Sequence, residues 1–440
     1  MAEFDIAVIG GGPAGYVGAI KAAQLGAKTV LIEKDQIGGT CLNRGCIPTK
    51  ALLKTAELVH EIAGASKRGI TTGAVEIDMP AVIKEKNRVV KKLTGGVASL
   101  LAANGVELIR GEGTLLPGGP SGLFNIAVPG QNGVTARAVL LAGGSRTARL
   151  PIPGLDLPGV LGSTEILDLE TIPKRLAIIG GGVIGIEMAM IFQSFGSRIS
   201  IIEAMPRILP FMDGETSALI HKILAARGAE LVSGLGLSKI EKEGEELKLF
   251  LADGRTLAAD TVLVSIGRTG DLSCAGEGGV KTEKGKVLVN DYMETSIPGV
   301  FAPGDINGKK MLAHAAFKMA ETAAENALSR MAGSGGGMKK AGLDYVPSVV
   351  YCFPEVAAVG LTQEEAEKTG PVAVGKFPLG ANGKALAAGQ GEGFVKVLSD
   401  EKYGKILGVH MAGPGASEII NEAAALMSME ITVHELAGII

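Results

Sequence analysis

Two cysteines five positions apart, Cys41 and Cys46, lie in the glycine-flanked segment GGTCLNRGCIPTK, residues 38–50. The pair could be a structural disulfide, part of a zinc site, or a dithiol that is oxidised and reduced during a reaction. A zinc site needs four ligands, and the other two cysteines, Cys274 and Cys352, are single and distant in sequence. A disulfide that closes so short a loop gains little chain entropy, and a reducing cytosol opposes it. We therefore favour a redox-active dithiol and predict no metal site.

The segment that follows the pair predicts a helix. The residues CIPTKALLKTAELVHEI form a helical pattern that starts near Cys46 and has Pro48 in its first turn, where proline is well tolerated. The positive field of a helix N-terminus favours a thiolate over a thiol. We therefore expect the Cys46 thiol to ionise readily.

A glycine motif upstream of the pair predicts a nucleotide site. Gly10-x-Gly12-x-x-Gly15 follows the strand-like run DIAVIG and opens a helical pattern. In such a turn the first glycine makes the bend, the second lets the backbone approach a pyrophosphate, and the third lets the helix pack on the strand. Glu33 ends the next strand, eighteen residues past Gly15, where a carboxylate can bind ribose hydroxyls.

The same arrangement recurs about 170 residues later as an internal duplication. Gly180-x-Gly182-x-x-Gly185 follows RLAIIG, and Glu203 stands eighteen residues past Gly185. An acid at this position favours NAD over NADP because it repels a 2′-phosphate, although Arg207 is close. Two dinucleotide sites in one chain suggest that electrons pass between two cofactors.

The composition is that of a folded α/β protein. Of 440 residues, 46% are hydrophobic and 20% are charged, and the net charge of −3 gives no reason to expect nucleic acid or an anionic membrane as a partner. The start MAEFDIAVIGGG lacks the basic region of a signal peptide. The apolar segment 176–192 is interrupted by three consecutive glycines and by Glu187. We expect a cytoplasmic protein without a membrane segment.

The elements that must position these residues can be read between the motifs. Residues 79–105 predict a long helix with a basic face, and residues 111–145 predict short strands joined by glycine turns. The proline-rich stretch ARLPIPGLDLPGV connects two domains, and residues 330–342 are the best candidate linker. A last α/β domain of about 100 residues follows the linker.

Several stretches together resemble one protein family. GGTCLNRGCIPTK, VLVSIGRTG, FAPGDI, MLAHAA and VPSVVYCFPEVAAVGLT are similar to segments of the class I pyridine nucleotide-disulfide oxidoreductases, and most closely to the members that oxidise dihydrolipoamide. The resemblance covers nearly the whole chain. It implies two Rossmann-like dinucleotide-binding domains, for FAD and NAD, and a C-terminal α/β dimerisation domain. The implied limits are 1–147 for the FAD domain, 148–268 for the NAD domain, 269–338 for a central domain completing the FAD site, and 339–440 for the interface domain.

The resemblance also implies a set of site residues. In the catalytic group, Cys41 exchanges with substrate, Cys46 lies next to the flavin, and Lys50 pairs with Glu187 near the flavin ring. The residues implied for FAD are Gly10, Gly12, Pro13, Ala14, Gly15, Glu33, Lys34, Gly39, Thr40, Cys41, Cys46, Lys50, Gly113, Ala142, Gly143, Gly144, Ser145, Gly304, Asp305, Met311, Leu312, Ala313 and His314. Those implied for NAD are Gly180, Gly182, Val183, Ile184, Gly185, Glu187, Glu203, Leu237 and Gly267.

The implied activity is oxidation of protein-bound dihydrolipoamide through the cysteine pair and FAD, with reduction of NAD⁺. The implied partners are a second copy of the chain, forming a homodimer, and a lipoyl-bearing protein of a 2-oxo-acid dehydrogenase or glycine cleavage complex. The alternatives are another NAD(P)H-dependent disulfide reductase, a mercuric reductase, or a non-catalytic flavoprotein subunit. The acid at Glu203 argues against an NADP-dependent reductase.

The sequence departs from the family pattern at two places. The family more often has Thr at the position of Gly143. The family also ends in a His-Pro segment whose histidine is the acid–base catalyst, whereas the printed sequence stops at EITVHELAGII, so we expect the natural chain to continue. His434 and His410 are expected to be structural, and the terminal residues 423–440 are expected to form one helix.

Overall fold

The computed structural model describes residues 2–118, 122–333 and 337–439, with Ala2 described by its backbone alone. By their contacts the residues form two compact units. The first unit comprises Met1–Pro48, Glu85–Ala148 and Arg268–Leu343, and the second comprises Thr49–Lys84, Arg149–Gly267 and Asp344–Ile440. Residues 334–336 of the expected linker lie outside the described residues. The division into an FAD domain, an NAD domain, a central domain completing the FAD site and an interface domain stays a prediction.

The helices and strands follow one another in α/β order along the chain. The strands are β1 (Ala2–Ile9), β2 (Thr29–Glu33), β3 (Glu107–Arg110), β4 (Thr114–Leu115), β5 (Phe124–Ala127), β6 (Val134–Leu141), β7 (Ser145–Thr147), β8 (Val160–Gly162), β9 (Arg175–Ile179), β10 (Arg198–Glu203), β11 (Glu230–Ser233), β12 (Leu237–Glu243), β13 (Glu246–Leu251), β14 (Thr256–Ala259), β15 (Thr261–Val264), β16 (Arg268–Gly270), β17 (Thr282–Glu283), β18 (Lys286–Val287), β19 (Val300–Phe301), β20 (Ser348–Val350), β21 (Val356–Gly360), β22 (Val372–Pro378), β23 (Phe394–Asp400) and β24 (Ile406–Ala412). The helices are α1 (Pro13–Gln24), α2 (Gly39–Arg44), α3 (Cys46–Gly64), α4 (Met79–Ala103), α5 (Val183–Ser194), α6 (Gly214–Ala226), α7 (Ala313–Met331), α8 (Gln363–Ala366), α9 (Gly383–Ala388), α10 (Ala416–Ser428) and α11 (Val433–Leu436).

The first unit is built on one mixed sheet of strand order β3-β2-β1-β6-β5-β4, with β19 also paired to β6. Strands β3, β2, β1 and β6 are parallel, and β5 and β4 continue the sheet in antiparallel pairing. All five residues of β2 are buried, as expected for a strand covered on both faces. Helix α1 packs against the alanine-rich α7, where Gly18 meets Ala320 at close range.

Three sheets are formed by the described residues of the second unit. A parallel sheet has the order β11-β10-β9-β15-β8, a small antiparallel sheet has the order β12-β13-β14, and an antiparallel sheet has the order β20-β21-β24-β23-β22. Helix α5 is apolar almost all round and is buried from Gly185 to Phe192, because it lies inside the core of this unit. The β3-β2-β1-β6 order of the first unit recurs here as β11-β10-β9-β15, which is the structural form of the sequence duplication.

A buried ion pair joins the parallel sheet's helix α6 to strand β23 of the second unit. Asp213 is the N-cap of α6, and its two carboxylate oxygens lie 3.0 and 3.1 Å from the Lys396 ammonium. Both side chains are only 1% exposed. Burial alone would raise the pKa of Asp213, but hydrogen bonds from Lys396 and from the Gln363 N–H outweigh burial and hold that pKa below its ordinary value.

The predicted fold class is confirmed. Residues 39–44, within the glycine-flanked cysteine segment, form the short helix α2. One local prediction was wrong. The terminal stretch is not one helix, since α10 ends at Ser428 and α11 begins at Val433. Glu430, with φ of +59°, makes the break, and Thr432 and Glu435 form a capping box for the new helix. Among the residues that the structure describes, no helix is long and apolar enough to cross a membrane.

Candidate functional site

The first glycine motif forms a tight turn between β1 and α1. Gly10 has φ of +105°, and a Cβ there would lie 2.3 Å from the Ala142 carbonyl oxygen. A Cβ on Gly15 would lie 1.7 Å from the Gly10 oxygen. Gly12 differs, because its nearest neighbour to an added Cβ is the Gly39 Cα at 3.8 Å. The first and third glycines are therefore required by the fold, whereas the second borders open space.

The acid after β2 is tied to the glycine turn by backbone donors. Glu33 Oε2 accepts from the Gly11 N–H, and Oε1 accepts from the Asp35 N–H at 2.7 Å. The Gly38 N–H then donates to the Gly11 carbonyl at 2.8 Å. The chain after Glu33 thus folds back over the glycine turn and leads directly into α2.

The second motif repeats this geometry bond for bond. Glu203 Oε2 accepts from the Gly181 N–H and Oε1 from the Met205 N–H, each at 2.7 Å. The Leu209 N–H donates to the Gly181 carbonyl at 2.8 Å, as the Gly38 N–H donates to the Gly11 carbonyl in the first motif. Leu209 has a φ of +46°, and Gly38 also has a positive φ. A Cβ on Gly182 would meet nothing within 4 Å. The duplication therefore extends from the sequence to the hydrogen bonds.

Both turns fit a dinucleotide. Gly12 and Gly182 are the N-cap residues of α1 and α5, and glycine has no side chain to accept from the first-turn N–H groups. Those N–H groups and the helix field suit a pyrophosphate, for which the open side of each second glycine leaves room. In the second motif Arg207 is engaged by Glu364, 3.0 Å from its Oε2, which agrees with Glu203 as the residue that selects the nucleotide.

The two cysteines lie at the junction of α2 and α3. Cys41 is the third residue of α2, Gly45 separates the helices, and Cys46 is the first residue of α3. Both cysteines are half-buried. Burial and the charges of Cys41 and Cys46 raise the pKa of the Tyr16 hydroxyl to about 12, so Tyr16 lies near both sulfurs.

The other two cysteines are unsuited to thiol exchange. Cys274 and Cys352 are fully buried. Burial raises the pKa of Cys274 to about 12 and raises that of Cys352 further. Since the thiolate is the reactive form, Cys274 and Cys352 are poorly suited to exchange, and Cys41 and Cys46 are left as the candidates.

A polar chain of Asp305, Ser145 and Arg268 lies in the first unit. Ser145 Oγ donates to Asp305 Oδ2 at 2.6 Å, and Arg268 Nε donates to Ser145 Oγ at 2.7 Å. Burial lowers the pKa of the Arg268 guanidinium, and the charges of Asp305 and Cys46 oppose this effect. Asp305 and Ser145 were predicted as flavin residues, whereas Arg268 was missed although it directly follows Gly267 in the motif SIGR.

Close packing explains why position 143 is a glycine. A Cβ on Gly143 would lie 2.6 Å from the Asp271 carbonyl oxygen and 2.7 Å from Cys274 Sγ. The buried Cys274 sulfur therefore fills the space that a threonine side chain would need. In the first unit, the Cys274 side chain thus takes the place of the threonine side chain that the family more often has at position 143.

Lys50 and Glu187 form an ion pair in the second unit. Lys50 Nζ lies 2.9 Å from Glu187 Oε1, and the two side chains are 32% and 5% exposed. Burial raises the pKa of the Glu187 carboxyl, and the Lys50 ammonium and the Tyr351 N–H oppose that rise. Lys50 also lies 4.1 Å from the centroid of the Tyr351 ring. Tyr351 was missed at the sequence level, although it belongs to the quoted segment VPSVVYCFPEV.

The remaining predicted residues are placed as follows. Gly39 and Gly304 lie against the first glycine turn, since a Cβ on Gly39 would be 2.6 Å from the Gly12 Cα and one on Gly304 would be 2.9 Å from the Ala14 Cβ. Lys34 pairs with Glu112 and Asp271 at 3.2 and 3.6 Å. The predicted cofactor contacts of all these residues stay predictions, including those of Pro13, Thr40, Gly113, Gly144, Met311, Leu312, Ala313, His314, Val183, Ile184 and Leu237.

The two histidines of the C-terminal region lie on β24 and on α11. His410 is buried on β24, and its Nε2 lies 2.9 Å from the Leu361 carbonyl oxygen. Burial lowers the pKa of His410, which keeps the ring neutral. His434 lies within the short helix α11.

The comparisons with known proteins agree with this geometry. The profile of the pyridine nucleotide-disulphide oxidoreductases matches residues 4–320, and that of their dimerisation domain matches residues 346–440. The chain is 44% identical to a dihydrolipoyl dehydrogenase of Thermus scotoductus, covering 99% of this chain and 93% of the relative, and 40% identical to one of Chlamydia muridarum, covering 98% and 91%.

Solved structures of related proteins match the fold. The flavoprotein disulfide reductase RclA of Escherichia coli, described as HOCl-induced, aligns with a TM-score of 0.86 at 26% identity over 98% of this chain and 94% of its own. LpdA of Mycobacterium tuberculosis aligns with a TM-score of 0.89 at 26% identity over 100% and 96%. Together with the profile matches and the near-full-length relatives, these findings show that the chain belongs to the pyridine nucleotide-disulfide oxidoreductase family.

Proposed function

We propose that the protein oxidises dihydrolipoyl groups and reduces NAD⁺, the activity of a dihydrolipoyl dehydrogenase. Relatives that carry this name are 38–44% identical over nearly the whole chain. The observation that carries the proposal is the half-buried pair Cys41 and Cys46, which follows the first glycine turn in the chain and whose second member begins helix α3. No other thiol in the printed sequence has the exposure that exchange requires.

The family uses FAD and NAD(H), and the residues present fit both groups. We assign FAD to the first glycine turn with Glu33 and Asp305, and NAD to the second turn with Glu203. Bound FAD supplies the two-electron chemistry that connects a dithiol to a nicotinamide. Glu203 would repel the 2′-phosphate of NADP, so NAD⁺ is the expected acceptor.

The thiol chemistry proceeds at the cysteine pair. A dihydrolipoyl thiolate attacks Cys41 Sγ of the oxidised pair, which forms a mixed disulfide and releases the Cys46 thiolate. The second substrate thiolate attacks its own chain's sulfur in that mixed disulfide, closes the cyclic lipoyl disulfide and releases Cys41 as a thiol. The substrate loses two electrons and two protons; the pair gains both electrons and one proton, on Cys41, while the other proton passes to solvent and Cys46 stays a thiolate.

We assign separate tasks in this chemistry to helix α3, Lys50 and Tyr16. The N-terminus of α3 stabilises the thiolate of Cys46, its first residue. Lys50, held by Glu187, provides a fixed cation that stabilises negative charge as the centre is reduced. Tyr16, whose pKa is raised to about 12, remains a neutral hydroxyl that can donate to a sulfur at neutral pH.

Partners and location follow as further parts of the proposal. The match of residues 346–440 to the dimerisation domain supports a homodimer. A lipoyl-bearing protein is the expected donor, because the substrate dithiol must be presented to Cys41. A cytoplasmic location stays the prediction made from the sequence.

The test uses the FAD-loaded holoenzyme. We expect NADH formation at 340 nm from dihydrolipoamide and NAD⁺, and much less product with NADP⁺. Anaerobic addition of about one equivalent of NADH should produce a long-wavelength thiolate-to-flavin band. Absence of both signals in FAD-loaded protein would sink the proposal, and activity on glutathione disulfide or Hg²⁺ alone would favour one of the alternative reductases.

Two matched variants separate the cysteines. Cys46→Ser should abolish the long-wavelength band under all conditions, because it removes the thiolate next to the flavin. Cys41→Ser should show the band before any reductant is added, because Cys46 can no longer enter a disulfide. Equal spectra for the two variants would contradict the separate roles assigned to the two thiols.

A further inference from the structure

The Lys50 side chain has two close neighbours that differ in kind. Its ammonium lies 2.9 Å from Glu187 Oε1, and it also lies 4.1 Å from the centroid of the Tyr351 ring. The carboxylate supplies charge, whereas the aromatic face supplies the negative side of a ring quadrupole. The lysine side chain is 32% exposed, so without the ring its long stem would have solvent on one side.

Tyr351 contacts the carboxylate as well as the ammonium. Its backbone N–H donates to Glu187 Oε1 at 3.1 Å, the same oxygen that Lys50 approaches. Both members of the ion pair are thus held by one residue, through its ring on one side and its main chain on the other. The Glu187 carboxylate is 5% exposed, and two donors on one oxygen stabilise its ionised form.

The segment that carries Tyr351 is fixed by its own contacts in the second unit. It leaves β20 after the fully buried Val350 and continues into the fully buried Cys352. The next residue, Phe353, stacks on His60 with ring centroids 6.0 Å apart and an interplanar angle of 6°. This segment therefore contacts helix α3 at two points: Tyr351 contacts Lys50, and Phe353 contacts His60. Lys50 and His60 are ten residues apart, or about 15 Å along the helix.

We propose that Tyr351 is a positioning residue for the redox centre: its ring and its backbone N–H hold the Lys50–Glu187 pair in one geometry. In this arrangement the position of the Lys50 ammonium is fixed by the segment that carries Tyr351 as well as by Glu187 of helix α5. The inference rests on the proposed function for the statement that this cation serves the reduced flavin. The geometry of the three residues stands independently of it.

The test compares Tyr351→Leu with Tyr351→Phe in the holoenzyme. Loss of the ring should make the reduction potential of the centre more negative, because a mobile cation stabilises the reduced state less. We expect an effect of about 2- to 30-fold on the equilibrium constant for reduction, the range of a cation–π contact. At about 30 mV for each factor of ten, this is a shift of about 10–45 mV. Tyr351→Phe keeps the ring and should keep the potential.

The measurement is anaerobic equilibration against a reference dye of known potential, which needs neither dihydrolipoamide nor NAD⁺. Phe353→Leu is the matched control, because it removes an aromatic contact with the same helix without touching Lys50. It should lower the melting temperature but leave the potential within error of wild type. Flavin content and far-UV circular dichroism identify a variant that has not folded.

A double-mutant cycle with Lys50→Met shows whether Tyr351 changes the reduction potential through Lys50. In that background Tyr351→Leu should produce no further shift, since the cation it positions is gone. A shift that persists without Lys50, or an equal shift in Phe353→Leu, would overturn the proposal. An inactive wild-type enzyme would instead contradict the proposed function and leave this cycle readable, because the dye titration does not depend on turnover.

Discussion

The second glycine of each motif is expected to be needed for binding the nucleotide but not for folding, and Gly182→Ala tests this directly. Gly182 has φ of −77° and ψ of −170°, an ordinary extended conformation for any residue. A Cβ there would meet nothing within 4 Å. The substitution should therefore change the free energy of unfolding by less than about 0.5 kcal/mol. The new methyl group would project into the space that a pyrophosphate needs.

The expected loss of affinity follows from the backbone contacts that the methyl group would displace. Hydrogen bonds to a charged group contribute about 1.5–3 kcal/mol each, so loss of one corresponds to about 10- to 150-fold weaker binding. The assay is isothermal titration of the holoenzyme with ADP-ribose, which carries the pyrophosphate but cannot be reduced. Unchanged affinity in Gly182→Ala would refute the assignment of NAD to this turn.

Two further substitutions serve as controls for this prediction. Gly12→Ala is the counterpart in the first motif and should lower FAD content while ADP-ribose affinity is kept. Gly180→Ala should instead destabilise the fold by at least about 2 kcal/mol, because φ is +104° and its Cβ would lie 2.5 Å from the Ser265 carbonyl oxygen. Equal behaviour of Gly180→Ala and Gly182→Ala would mean that the glycines have no separate roles.

Two more substitutions probe the packing around the sites. Asp213→Asn breaks a pair in which both side chains are 1% exposed and should cost about 3 kcal/mol in urea denaturation at pH 7. Because the folded-state pKa of Asp213 is below its ordinary value, its stabilisation is present above about pH 4 and is lost as the pH falls through the folded-state pKa; parallel acid profiles for variant and wild type would contradict this. Gly143→Ala should lower stability by about 1–3 kcal/mol and reduce FAD retention, since its Cβ meets the Asp271 carbonyl and Cys274. Adding Cys274→Ala should restore only part of the loss, because the carbonyl remains; full restoration would show that the sulfur alone excludes a side chain there.

Local chemistry made the nucleotide turns and the cysteine pair predictable. A glycine turn requires a positive φ at its first residue and close backbone approach at its third, and both requirements are visible as residue types at fixed spacing. The strand and helix of each repeat follow from hydrophobic periodicity, which depends on neighbours along the chain. The helix beginning at Cys46 was predictable for the same reason.

Two local features that the hydrophobic pattern did not predict depend on side-chain hydrogen bonds and on capping. Helix α2 is flanked by glycines that disfavour helix, yet the Asn43 amide donates to the Gly39 and Ile37 carbonyls and holds the turn. The break between α10 and α11 occurs at Glu430, whose positive φ no hydrophobic pattern indicates. The capping box of Thr432 with Glu435 was the signal that could have located the second helix.

The sequence by itself determined that this protein has two dinucleotide turns, an acid after each, and one exchangeable thiol pair. The family resemblance implied that Lys50 pairs with Glu187, but only the tertiary structure decided which other residues contact this pair and which residues bind Ser145. Lys50, Glu187 and Tyr351 come from three distant segments of the second unit, and Ser145, Arg268 and Asp305 from three segments of the first. Their contacts depend on how whole sheets and helices pack. A hydrogen bond acts over only a few ångströms, so a bond between residues far apart in sequence produces no regular spacing of residue types along the chain.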